Sequence, residues 1–87
     1  MIKFFKVKDT EVRRAVEVDE AGNKKRVIAV IGQVGELLKQ ELIFPENTDG
    51  NLEKWLLLSP DGDNVIEYET LADAKEGARI LGWGASL

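Results

Sequence analysis

"EKWLLLSPDGDNVIEYETLADAKEGARIL" (residues 53–81) carries the strongest fold signal in this 87-residue chain. Two apolar runs, Trp55-Leu56-Leu57-Leu58 and Val65-Ile66-Glu67-Tyr68, flank Ser59-Pro60-Asp61-Gly62-Asp63-Asn64. Pro60 presets φ for the first central position of a turn, and Gly62 accepts the conformation that reverses the chain. Strands over 53–59 and 65–69 therefore form a hairpin. Alternation sends Ile66 and Tyr68 to the core and Val65, Glu67 and Glu69 to the surface. Thr70 stands three residues before Asp73, close to a capping box. Leu71, Ala74, Ala78 and Leu81 then share one face of a helix over 71–81, with Gly82 at its C′ position. A hairpin followed by a one-sided helix is the start of an α+β domain.

The Asp61-Gly62-Asp63-Asn64 cluster is also the nearest approach to a metal loop. A calcium loop of the EF-hand type needs D-x-[DN]-x-[DN]-G-x5-E. Here Asn64 follows Asp63 directly and the sixth position is not glycine. The cluster is expected to turn the chain and to hold no metal.

Toward the N-terminus, Ile2–Lys8, Val12–Val18 and Lys24–Ile31 read as three further strands. The first changes its apolar face between Phe4 and Phe5, so either both sides are covered or a bulge intervenes. The third is apolar on both faces, which places it inside the sheet. Asp19-Glu20-Ala21-Gly22-Asn23 turns the second strand into the third. A turn centred between Ala21 and Gly22 sets Val16 opposite Val27, Val12 opposite Ile31 and Glu17 opposite Arg26, matching apolar with apolar and acid with base. After Gly32-Gln33-Val34-Gly35, the spacing of Val34, Leu37, Leu38 and Leu42 predicts a short helix near 35–42, and "PENTDGN" (45–51) is a loop. The fold expected is thus α+β, one domain over 1–87: an antiparallel sheet of about five strands with the 71–81 helix on one face. Its core comprises Val16, Val27, Ala29, Ile31, Leu56, Leu58, Ile66, Tyr68, Leu71, Ala74, Ala78 and Leu81. The 35–42 segment covers the opposite face only in part.

Composition restricts function. The chain has neither histidine nor cysteine. Cys/His zinc sites, Ser-His-Asp and Cys-His nucleophile pairs and disulfides are all excluded. Gly32–Gly35 lacks both the G-x-G-x-x-G spacing and a Gly-Lys-Ser/Thr ending, so no phosphate cradle is expected. Glu67, Glu69, Asp73 and Glu76 are the only candidates for paired-carboxylate chemistry, and alternating acids on a hairpin describe a wet face more simply. No enzyme activity and no cofactor are expected. No apolar run of signal-peptide or membrane-spanning length occurs, and the expected location is cytoplasmic, away from membranes.

Charge is unevenly spread. Residues 1–35 carry eight bases and five acids, a balance of +3, and residues 36–87 carry four bases and eleven acids, a balance of −7. The basic cluster Arg13, Arg14, Lys24, Lys25 and Arg26 is the candidate interaction surface, together with Trp83, an anchor for a partner unless its ring closes the core. Phosphate binding normally comes with a clearly positive domain, whereas this chain is at −4. The first expectation is a small acidic protein-interaction module, binding another protein or itself. The alternatives are a nucleic-acid-associated module using the basic hairpin, or an acidic inhibitor imitating nucleic acid. The 53–83 tail also resembles the strand–turn–strand–helix pattern of many small α+β domains, some of which, such as integrase arm-binding modules, contact DNA through the sheet. That resemblance implies the fold and assigns no functional residues.

Overall fold

The computed structural model describes residues 1–47 and 50–81. Five strands, β1 (Ile2–Lys6), β2 (Arg13–Val18), β3 (Lys24–Gln33), β4 (Trp55–Leu58) and β5 (Val65–Tyr68), form one antiparallel sheet in chain order. Two helices, α1 (Val34–Lys39) and α2 (Leu71–Leu81), lie against it, and a 3-10 turn spans Pro45–Asn47. The α+β architecture is as expected, with most strand ends trimmed by a residue or two. β1 stops at Lys6 because the chain turns at once: Asp9 has φ 63° and the Thr10 amide bonds the Val7 carbonyl at 3.1 Å.

α2 covers one sheet face. Its inner side carries Ala74 and Ala78, both buried, and meets Ala15, Ile28, Ala29, Ile31 and Leu57. Ile2, Phe4, Trp55, Ile66, Tyr68 and Leu71 pack around this centre, partly buried. Small residues let the helix sit close. At Gly77 a methyl group would overlap the Tyr68 ring. The Thr70 hydroxyl accepts the Asp73 amide at 3.1 Å, the N-cap expected for this helix.

The second face is closed at one end only. β3 runs straight into α1, whose first amides, of Val34 and Gly35, donate to the carbonyls of Lys54 and Leu52 at 2.9 and 3.1 Å. A Cβ at Gly32 would stand 2.8 Å from Leu37 Cδ2, so glycine is what lets α1 fold back onto the strand it leaves. Val34, Leu37 and Ile43 thereby cover Val12, Leu56 and Leu58, with Val7, Val30 and Leu38 at the margin. The helix ends earlier than its expected limit near residue 42. Glu41 adopts φ 60°, its amide bonds Leu38 O at 3.1 Å and the Leu42 amide bonds Leu37 O at 2.9 Å. This is a Schellman ending, with glutamate where glycine is usual. Apolar spacing continued past the stop, so periodicity alone overran it.

The β2–β3 register holds near the turn and shifts beyond it. Val16 faces Val27 and Glu17 faces Arg26, as expected, but Ala15 faces Ala29 and Arg13, not Val12, faces Ile31. Ile28 is the extra residue of a bulge, and a second irregularity lies between Glu17 and Val18. Ile28 and Ala29 are consequently both buried against α2. Val27 corrects the expected core: it is 38 % exposed, because among the described residues neither helix reaches that end of the second face. Of the other expected core residues, Val16, Ala29, Ile31, Leu56, Leu58, Ala74 and Ala78 are buried, and the side chain of Leu81 lies outside the described residues.

Candidate interaction face

β4 pairs with β3 only over Val30–Gln33. The first half of β3 therefore runs beyond the β4–β5 hairpin, and α1 sits at the Val30 end of the same face. What remains is a three-stranded ribbon whose α2 side is packed and whose outer side carries neither helix. Cross-strand partners point to the same side of a sheet, so the outer side follows from the register. One row is Lys3, Val16 and Val27; the next is Phe5, Arg14 and Val30; at the turn end Val18 faces Lys24. The consecutive rings of Phe4 and Phe5 thus serve opposite faces, with no bulge in β1. Lys75 and Arg79 of α2 stand 5.3 and 5.2 Å from the Phe4 centroid, and Lys24 Nζ stands 4.3 Å from that of Phe5. A shallow hollow of about 230 Å³ is lined by Phe5, Arg14, Val16, Lys24, Lys25 and Val27, among others.

The basic cluster singled out in the sequence is divided by this geometry. Arg14, Lys24 and Lys25 line the hollow. Arg13 faces Ile31 on the α2 side, and its guanidinium donates to the Glu11 carbonyl at 3.2 Å. Arg26 also borders the hollow, but its guanidinium is paired with Glu17 at 3.5 Å. Trp83 lies outside the described residues. Lys3, Phe5 and Val27 belong to the outer face and were not singled out. The alternation Lys3-Phe4-Phe5, carried through the register to Arg14 and Val16, is the signal that finds them.

Ion pairing separates the two sides. On the α2 side of the ribbon, Lys6 pairs with Glu11 at 3.1 Å and Arg26 with Glu17. Among the described residues, Lys3, Arg14, Lys24 and Lys25 have no ion-pair partner, and Glu17 is the one acid within the three strands. Asp19 and Glu20 stand beyond the strand ends. Asp19 is occupied in the turn, accepting the Ala21 and Asn23 amides at 2.9 Å each. The hydrogen bonds to Asn23, the backbone one foremost, hold its carboxyl below the ordinary 3.8.

The 59–64 segment is a turn, as expected. The Ser59 hydroxyl donates to Asp61 Oδ1, which also accepts the Asp63 amide at 2.9 Å, and Ser59 Oγ accepts the Asn64 amide at 3.0 Å. Gly62 has φ 80°. The Ser59 bond, then the Asp63 amide, lowers the Asp61 pKa. The acids Glu67, Glu69, Asp73 and Glu76 do line one groove between β5 and α2, with Tyr68, Gly77 and Ile80. Three of the four have cations at hand: Lys54 lies 3.1 Å from Glu67 and 4.0 Å from Glu69, and Arg79 lies 3.3 Å from Glu76.

No family model, curated protein or solved structure matches the chain. Among the described residues, no helix is long and apolar enough to cross a membrane.

Proposed function

We propose that this chain is a non-enzymatic binding module, working in the cytoplasm, that docks a protein partner on the outer face of β1–β3. One observation carries the reading. The face left open by α1 holds Lys3, Arg14, Lys24 and Lys25, which have no ion-pair partner among the described residues. Arg14, Lys24 and Lys25 line one hollow with Phe5 and the half-open Val27, and Lys3 shares a row with Val27. Apolar area rimmed by long polar side chains is the anatomy of a docking surface. The aliphatic stems of lysine and arginine also shield apolar surface while the face is free, consistent with Val16 being only 4 % exposed. The groove at β5 and α2 supports acid/base chemistry less well, because its carboxylates are largely engaged with Lys54 and Arg79.

The test is comparative capture from a lysate of the source cells. The tagged protein, an Arg14→Glu/Lys24→Glu variant and a Glu76→Lys variant serve as baits. A protein held by the first and third baits and lost from the second supports the reading. Identical capture by all three overturns it.

A further inference from the structure

We infer that the occupant of this face is an acidic segment of a protein in which carboxylates are interspersed with apolar side chains. The inference rests on the docking reading above and names the chemistry of its partner. On the outer face lie Lys3 then Phe5 along β1, Arg14, Val16 and Val18 along β2, and Lys24, Val27 and Val30 along β3. Val16 and Val18 are buried beneath their neighbours and Val30 meets the α1 cluster, so Phe5 and Val27 are the apolar groups open to a partner. Cations and apolar groups are interspersed: Lys3 alternates with Phe5 along β1, Arg14 stands between Phe5 and Val30 across the strands, and Lys24 faces Val18. Like-facing residues repeat about every 7 Å along a strand, and neighbouring strands lie about 5 Å apart. The partner best suited to such a mixed face offers negative and apolar groups within the same short reach, as an extended acidic segment does.

Charge on this side favours an anion: Lys3 and Lys25 share a hollow with Glu17, Asp19 and Glu20, yet form no ion pair with them. The cations of the α2 side are engaged by Glu11 and Glu17, whereas those of the outer side have no carboxylate to displace among the described residues. Binding therefore requires no internal ion pair to break. Bulges at Ile28 and next to Val18 disturb the regular spacing of β3, so its open edge is a poor template for an added strand, and the other edge, β1, is only five residues long and carries Lys3 and Lys6. The broad side of the ribbon is the surface that remains.

Nucleic acid fits less well. From Arg14 to Val18 the face is about 13 Å long, and Asp19 and Glu20 stand at its end. A phosphate chain continuing past the turn end meets those acids, and one continuing past the Val30 end meets residues 36–87, at −7. Nucleic-acid affinity grows with the number of phosphates neutralised, and the face has room for few. A short acidic peptide needs only a few contacts, with apolar side chains supplying the remainder on Phe5 and Val27.

The test uses the full chain and a fluorescein-labelled dodecapeptide alternating glutamate with leucine or valine, read by anisotropy. Controls are the same peptide with glutamine for every glutamate, the same peptide with serine for every apolar residue, and a single-stranded dT12 oligonucleotide. The expected result is saturable binding of the acidic peptide, weakened about tenfold or more by either peptide control, by Arg14→Glu/Lys24→Glu and by raised salt. Urea unfolding of that variant, unchanged in midpoint, shows that the face and not the fold was altered. Tighter binding of dT12 than of the peptide overturns the inference in favour of nucleic acid. Self-association of the free protein in sedimentation, abolished by the same variant, overturns it in favour of a second copy. Absence of peptide binding overturns it too. The docking reading then stands or falls on the capture experiment, which does not assume an acidic partner.

Discussion

On the α2 side of the sheet Ile28 is 2 % exposed, Leu57 and Ile31 are inaccessible, and Ala74 and Ala78 press down from the helix. On the other side Val27, the neighbour of Ile28 in the same strand, is 38 % exposed. The two sides draw on the same strands and differ in what the rest of the chain lays over them. An eleven-residue helix spans one face, whereas a six-residue helix with Ile43 reaches only the Val30 end of the other. Among the described residues, no second helix is long enough to lay a full layer over the other face. Where cover is missing, the sheet carries cations with long aliphatic stems instead of a helix. The same side chains that keep an open apolar face in water give it a charge that a partner can recognise.

The contrast between the faces is sharpest in stability. Leu57→Ala removes a fully buried side chain under α2 and should cost about 3 to 4 kcal/mol in urea unfolding. Val27→Ala, on the open face, should cost about 1 kcal/mol or less by the same measurement. Equal losses would mean that the outer face is as well packed as the α2 face. At the covered end, Gly32→Ala forces a methyl group against Leu37 and should cost about 1 to 3 kcal/mol, since Leu37 is itself buried and has no room to yield. A neutral Gly32→Ala would show that α1 sits farther from β3 than described.

Smaller effects test the ends of the elements. Glu41→Gly relieves a left-handed glutamate at the α1 stop and should raise stability by about 0.5 to 1 kcal/mol, net of the added freedom of the unfolded chain. A loss would argue against the Schellman ending. The smallest effect concerns acid. Asp19 and Asp61 both have pKa values depressed in the folded state. Their contribution is therefore fully present above the unfolded value of 3.8 and is lost as pH falls through the folded values below it. NMR titration should place both below 3.8, and Ser59→Ala should bring Asp61 back toward that value while leaving Asp19 unchanged. An unaltered Asp61 titration in Ser59→Ala would assign the shift to another group.

Much of this fold was legible in the sequence where local chemistry and tertiary packing agree. Pro60 and Gly62 mark a turn, Thr70 marks a cap, and the spacing of Leu71, Ala74 and Ala78 marks a buried helix face; each feature is local. The double-sided apolar run of β3 also placed that strand inside the sheet. What was not legible depends on contacts made at a distance. The bulge at Ile28 has no glycine or proline to announce it, and it moved Arg13 to the position expected for Val12. The exposure of Val27 follows from how far α1 reaches, a length set by Glu41 and by the close approach at Gly32. The candidate interaction surface suffered for the same reason. Neighbours in sequence alternate between faces in a strand, so Arg13 and Arg14 part company, as do Lys25 and Arg26 in their pairing, and a cluster in the sequence was only half a cluster in space. Lys3 and Phe5 joined it from another strand.

The account rests on the outer face of β1–β3 being where an acidic partner lands. Its most direct measurement is backbone amide shift mapping of the isotope-labelled protein during titration with the acidic dodecapeptide. The predicted result is a set of saturating shifts confined to Lys3–Phe5, Arg14–Val18 and Lys24–Val27, with α2 unmoved. Shifts centred on α2 and β5, or spread evenly over the chain, would contradict it.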